Sequence, residues 1–172
     1  METSFNHKIN AMKQVGQLFL FVTIICWATI IGGVLYSHIA YFPSYLSHLP
    51  ESSILVAGPY PIKEENFWML IHPITILCIL ISLALNWKLR SRRTYILSAV
   101  IIYALAIAAT FTYFVPELME FSKSSQSQVS AVEWYARGQK WLYLSWTRGV
   151  FMLLGFIFLL VALTQNNSTE QS

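Results

Sequence analysis

The chain has 172 residues, of which 56% are hydrophobic and only 11% charged, with a formal net charge of +3 and a mean hydropathy of +0.54. Soluble domains carry about 25% charged residues, so a soluble globule of this size is excluded. Asp is absent, the two cysteines (Cys26 and Cys78) form no Cys-x-x-Cys pair, and no Gly-rich phosphate loop occurs. Thiol redox shuttling, thiolate zinc sites and the soluble kinase, ATPase and dehydrogenase classes therefore lack their ligands.

The apolar residues fall into four blocks of about 20, the length that crosses about 30 Å of hydrocarbon as a helix. The first, residues 15–37, follows a head carrying Lys8 and Lys13. It is longer than a signal-peptide core and no Ala-x-Ala site follows, so it reads as a retained helix. Pro43, Pro50, Gly58, Pro59 and Pro61 break the connection that comes next. Within it Tyr41, Phe42, Tyr45, Leu46 and Leu49 are too apolar for a free linker, and they predict a short amphipathic piece around Pro43–Leu49 lying over the helix ends.

The second block, 67–87, runs into Lys88, Arg90, Arg92 and Arg93, a tight basic turn, and the third, 95–116, starts directly after it. The connection 117–140 is Ser- and Gln-rich up to Ser130 and regains a helical look at Trp134, Arg137 and Trp141; the fourth block is 141–163, ahead of a polar tail, Thr164 to Ser172. The expected fold class is all-α, a single membrane domain over 1–172. Its architecture is a left-handed, up-down-up-down four-helix bundle capped outside by 38–66 and 117–140. Ala28/Gly32 and Ala104/Ala108 are expected to let helices approach closely. Both cysteines are expected to be packing residues.

The basic residues flank the spans, so they set orientation and leave no nucleic-acid footprint. Lys8, Lys13 and the Lys88–Arg93 turn outweigh the scattered Lys63, Lys123, Arg137 and Lys140, which mix with glutamates. This bias places both termini in the cytoplasm, in a plasma or inner membrane. Sequons at Asn166 and Asn167 are expected to stay unglycosylated.

Polar groups inside spans carry the functional information, because apolar burial drives helix association little in lipid. Glu65, Trp68, His72 and Thr75 share one face of the second helix; Tyr103, Thr110, Tyr113 and Glu117 follow on the third. On the fourth, Trp134, Arg137, Trp141, Ser145, Arg148, Met152 and Gly155 repeat the same spacing, and Tyr36 and His38 end the first. All these stripes converge at the outer end. Arg148 must face inward or snorkel, either gripping a polar or anionic ligand or forming an orienting ion pair with Glu117 or Glu65. His72 is either a site residue or a neutral imidazole bonded to a neighbouring helix. His38 and His72, with Glu65, form a candidate two-His, one-carboxylate metal set, and the two histidines alone a candidate haem site. Most of the outer aromatic residues read as an interfacial belt.

Gly32-Gly33 and Tyr36, then Pro43, Phe67-Trp68, Pro116-Glu117 and Trp146-x-Arg148 together resemble the four-helix membrane family that contains anthrone oxygenases. The likeness spans residues 32 to 148. It implies oxidation of an activated aromatic methylene by molecular oxygen without a bound cofactor, with His72, Glu117, Trp146 and Arg148 lining the substrate cavity. The leading expectation is therefore an outer-leaflet site for a lipophilic small molecule. There His72 acts as base, Arg148 stabilises an enolate, and Glu117 or Glu65 sets the imidazole tautomer. Trp68, Glu65, Tyr36, Tyr113, Trp141, Ser145 and Trp146 are the expected substrate contacts. The alternatives are a non-enzymatic subunit packed beside a membrane protein partner and a haem or metal binder. A transporter is disfavoured because the polar stripes stop short of the inner half.

Overall fold

The computed structural model describes residues 2–165, with side-chain surroundings from residue 13 onward. In chain order its helices are α1 (Glu2–Tyr36), α2 (Phe42–Leu46), α3 (Ile54–Ala57), α4 (Glu64–Leu85), α5 (Arg90–Ala109), α6 (Val115–Ser122) and α7 (Ala131–Thr164), and no strand occurs among the described residues. α1 packs chiefly on α4 and α5 on α7, while α1–α7 and α4–α5 contacts close the ring. The result is an all-α four-helix bundle. The Asn166 and Asn167 sequons, the tail beyond Gln165, and the side chains of His7 and Lys8 lie outside the described residues.

Four continuous helical stretches are long and apolar enough to cross a membrane: Lys13–Leu46, Glu64–Leu85, Arg90–Ser122 and Ala131–Thr164. A helix of 34 residues is about 51 Å long, against about 30 Å of hydrocarbon. The first, third and fourth stretches therefore overshoot at the Leu46/Ser122/Ala131 end and build the cap. Two apolar cores stack as a consequence. One, within the span, centres on Leu20, Trp27, Ile79, Tyr103, Met152 and Leu159. The other, in the cap, centres on Tyr45, Leu46, Leu49, Phe121, Trp134 and Trp141.

The helix ends differ from expectation for identifiable reasons. α7 begins at residue 131 rather than 141 because Ser130 caps it, its hydroxyl accepting from the Glu133 amide at 3.3 Å. Ser130-x-x-Glu133 is the start of a capping-box pattern that the Ser/Gln-rich stretch obscured. α1 and α5 do not stop at 37 and 116. Each passes through a five-residue π-helical segment, Ser37–Tyr41 and Thr110–Phe114, into α2 and α6. Each segment ends two residues before a proline, Pro43 and Pro116. Proline has no N–H to donate and crowds the carbonyl four residues earlier, and a wider turn relieves both. The amphipathic piece expected at Pro43–Leu49 is thus a continuation of the first helix, and Tyr45, Leu46 and Leu49 are buried as anticipated.

Close helix approach falls at other small residues than the expected pairs. Ala28, Gly32, Ala104 and Ala108 are exposed on the outside of the bundle. The intimate positions are Gly33, Gly138 and Gly155, where an added Cβ would lie 2.7 Å from Phe67, 2.8 Å from the Leu46 carbonyl and 2.6 Å from Trp27. Trp27 is fully buried and its indole donates to the Met152 carbonyl at 3.0 Å, so it cannot swing aside cheaply. Gly155→Val is expected to destabilise the bundle by about 1–3 kcal/mol through overpacking. Gly32→Val, with nothing within 4 Å of its Cβ, is the near-neutral control, both read from loss of helicity on titration with a denaturing detergent.

At the opposite end from the cap, Arg92 is only 3% exposed. Its guanidinium donates to the Ala162 and Gln165 carbonyls (3.2 and 2.8 Å) and to Asn86 Oδ1 (3.2 Å). The Asn86 amide in turn donates to the Gly16 and Ser82 carbonyls. This clasp ties α1, α4, α5 and the end of α7 together.

Candidate functional site

The seam between the two cores collects the polar side chains. His38 sits on the first π-helical segment, is 4% exposed, and lies 2.7 Å through Nδ1 from the Val34 carbonyl. A carbonyl only accepts, so Nδ1 carries the hydrogen and Nε2 presents a lone pair. That Nε2 is buried with no protein partner. The ring is boxed by Trp146, Phe42 and Trp141, with centroids at 4.8, 5.4 and 6.3 Å.

Arg148, on α7, reaches the second π-helical segment. Its guanidinium donates to Thr110 Oγ1 at 2.7 Å and Ser145 Oγ at 3.0 Å, and lies 4.1 Å over the Phe114 ring. The Phe114 ring beneath it packs on Trp141 at 5.5 Å, which borders the His38 box. The single ion pair among the described residues is Arg137–Glu117. Arg148 therefore faces two neutral hydroxyls and a ring, not the Glu117 or Glu65 carboxylate expected from spacing.

His72, on α4, shares a 2.7 Å hydrogen bond between Nδ1 and the Tyr103 hydroxyl, and stacks on Trp68 at 5.6 Å. Tyr103, not Glu117 or Glu65, fixes this imidazole, and it is buried against Trp27 at 5.0 Å. His38, Trp146, Ser145 and Arg148 thus adjoin through Trp141 and Phe114, while His72 and Trp68 form a second group with Tyr103. The Trp141 indole is spent on the Phe114 carbonyl at 3.1 Å.

Other expected residues lie elsewhere. Glu65 is exposed, and its neighbour Glu64 is the carboxylate turned to the bundle, accepting from Ser37 Oγ at 2.6 Å. Spacing carried that signal: at 100° per residue, Glu64 lies closer to the Trp68–Thr75 face than Glu65 does. Tyr36 is exposed at the lipid side. Glu117, Tyr113, Lys123 and Arg137 line a separate rim cavity of about 470 Å³. Trp134 and Trp141 are core residues rather than belt, whereas Tyr36, Tyr60, Tyr135 and Tyr143 are exposed as a belt requires. No group of three or more His, Cys, Asp or Glu side chains gathers among the described residues.

The partly exposed rim pair makes a testable contrast. Glu117→Gln is expected to change stability by less than about 1 kcal/mol, and to leave ligand binding between the histidines within about twofold, as measured by detergent unfolding and titration. Thr110 and Tyr103 were visible in the stripe of the third helix; that Arg148 and His72 would choose these hydroxyls was not, because spacing assigns a side chain to a face without choosing its partner. No protein-family model, curated protein or solved structure matches the chain.

Proposed function

We propose that the chain is an integral membrane protein whose outer seam binds a lipophilic small molecule bearing an enolisable or anionic oxygen, and that it acts as a cofactor-independent, anthrone-oxygenase-like oxidoreductase. The observation that carries this reading is Arg148: a guanidinium within an apolar helix, unpaired with any described carboxylate and met only by two hydroxyls and the Phe114 ring. Such a charge is expensive in a span unless something anionic meets it. Arg148 supplies the charge that stabilises an enolate, and His72, in the tautomer whose Nδ1–H donates to the Tyr103 oxygen, offers Nε2 as the base. The partly exposed Trp146 gives an aromatic ligand a flat surface. Both termini are assigned to the cytoplasmic side of a plasma or inner membrane on the basic-residue bias.

In this reading an aromatic methylene conjugated through its rings to a carbonyl loses a proton to His72, and the carbanion reacts with molecular oxygen. One oxygen atom becomes the new carbonyl; the other leaves as water with both methylene hydrogens. The test is oxygen uptake by the purified protein with an anthrone as probe. Wild type is expected to exceed the spontaneous rate and His72→Ala to fall to it with the bundle intact. No enhancement by wild type overturns the reaction class, and full activity in the variant overturns the base assignment.

A second reading, a non-enzymatic subunit, draws on the outward-facing Ala104 and Ala108, a small-residue surface suited to a partner helix. Purification as a stable monomer that binds the probe disfavours it.

A further inference from the structure

A second cavity, of about 500 Å³, opens between α1 and α4 toward lipid, on the other side of Ser37 from the His38 box. We infer that this groove binds a single-chain amphiphilic ammonium, its cationic head held by the Glu64 carboxylate and an aromatic wall. The inference is independent of the oxidoreductase reading.

Four aromatic side chains, Tyr36, Tyr41, Phe67 and Trp68, line the groove with Glu64 among them. Aromatic faces attract cations, and quaternary ammonium groups, which cannot donate hydrogen bonds, are recognised by such walls together with a carboxylate. Glu64 is half-buried, receives a hydrogen bond from Ser37, and has no cationic partner among the described residues. Glu64 stands in the first turn of α4 and lines the groove. The groove therefore offers an anion without a counter-ion.

Shape agrees with charge. The Thr29 and Gly32 side of the groove carries no large side chain, and nothing lies within 4 Å of where a Gly32 Cβ would be, whereas Gly33 is covered by Phe67 and Trp68. An alkyl chain fits along this strip while its head reaches Glu64. The lining contains no Lys or Arg, so a zwitterionic phospholipid would leave its phosphate unpartnered. That favours a free amphiphilic ammonium over a phosphatidylcholine headgroup.

Native mass spectrometry of the full chain, released from a non-ionic detergent, tests this with three probes: tetradecyltrimethylammonium, tetradecanol and dimyristoylphosphatidylcholine. One equivalent of the ammonium is expected to bind, at least about tenfold more tightly than the alcohol or the phospholipid, a difference of one charge-assisted contact. Glu64→Gln is expected to erase that preference. Gly32→Leu, which fills open space without a clash, is expected to abolish binding while the protein stays monodisperse. Equal binding of ammonium and alcohol, an unchanged preference in Glu64→Gln, or equal binding of the phospholipid each overturns the proposal. Because Gly32 and Glu64 lie outside the His72–Arg148 region, anthrone-dependent oxygen uptake in the Gly32→Leu variant reports on the other site separately.

Discussion

Arg148→Met is expected to cut anthrone-dependent oxygen uptake by about 10²–10³-fold, the loss that follows removal of a preorganised group stabilising an oxyanion. The same substitution is expected to leave the bundle as stable as wild type or more so. An arginine at the centre of a bilayer costs about 2.5–3.5 kcal/mol on insertion scales, and here it recovers only two hydroxyl bonds and a ring contact. Methionine keeps the bulk and drops the charge. Opposite signs for activity and stability mark a residue held for function, as strained or desolvated groups in sites often are. A structural arginine gives the reverse, with stability falling and any bound probe unaffected. Arg148→Lys refines the reading, because one ammonium cannot span Thr110 and Ser145 as the planar guanidinium does. It is expected to retain affinity for an anionic probe while turnover drops. Detergent-induced unfolding and oxygen uptake on the same preparations decide between the outcomes.

The four spans were legible because hydrocarbon thickness imposes a length on any apolar helix, and the chain meets it four times. That Ser145 and Arg148 share one face of the last helix was legible too, since 3.6-residue spacing places side chains on faces before any packing is known. Pairing was not. Spacing favoured Glu117 or Glu65 as the partner of Arg148, but a carboxylate near the rim keeps its hydration and a cation of its own, Arg137, whereas the buried guanidinium takes the hydroxyls within reach. The two π-helical turns moved the register of α1 and α5 just where the site forms, and a fixed 100° step cannot anticipate that. In hindsight Pro43 and Pro116 marked both turns. Small residues misled for a related reason: Ala28-x-x-x-Gly32 has the right period, yet its face looks outward, and the close approach falls one residue later at Gly33.

The basic turn between the second and third spans had been assigned only to orientation, and the structure gives one of its members another task. Arg92→Met is expected to lower stability by about 2–4 kcal/mol, because it strands the acceptors that the guanidinium satisfies. Asn86 Oδ1 and the Gln165 carbonyl lose the donor that Arg92 supplies, and the Ala162 carbonyl keeps only the Gln165 amide. The two carbonyls lie in the last turn of α7 and at the residue just past it, where exposed backbone acceptors and partial negative charge favour a cation. Arg93→Met is the matched control. It removes the same unit of charge from the same turn, but Arg93 lies over the Trp87 ring at 5.1 Å and reaches only the Trp87 carbonyl, at 3.4 Å. If the turn acts by charge alone, the two variants shift detergent unfolding equally and both disturb insertion. If the clasp holds the end of the bundle away from the cap, Arg92→Met unfolds at a distinctly lower detergent fraction while Arg93→Met follows wild type within about 0.5 kcal/mol. Probe binding at the far seam then survives in both variants as long as the bundle stays folded, because the clasp joins the helices at the opposite end and none of its bonds reaches His38, His72 or Arg148.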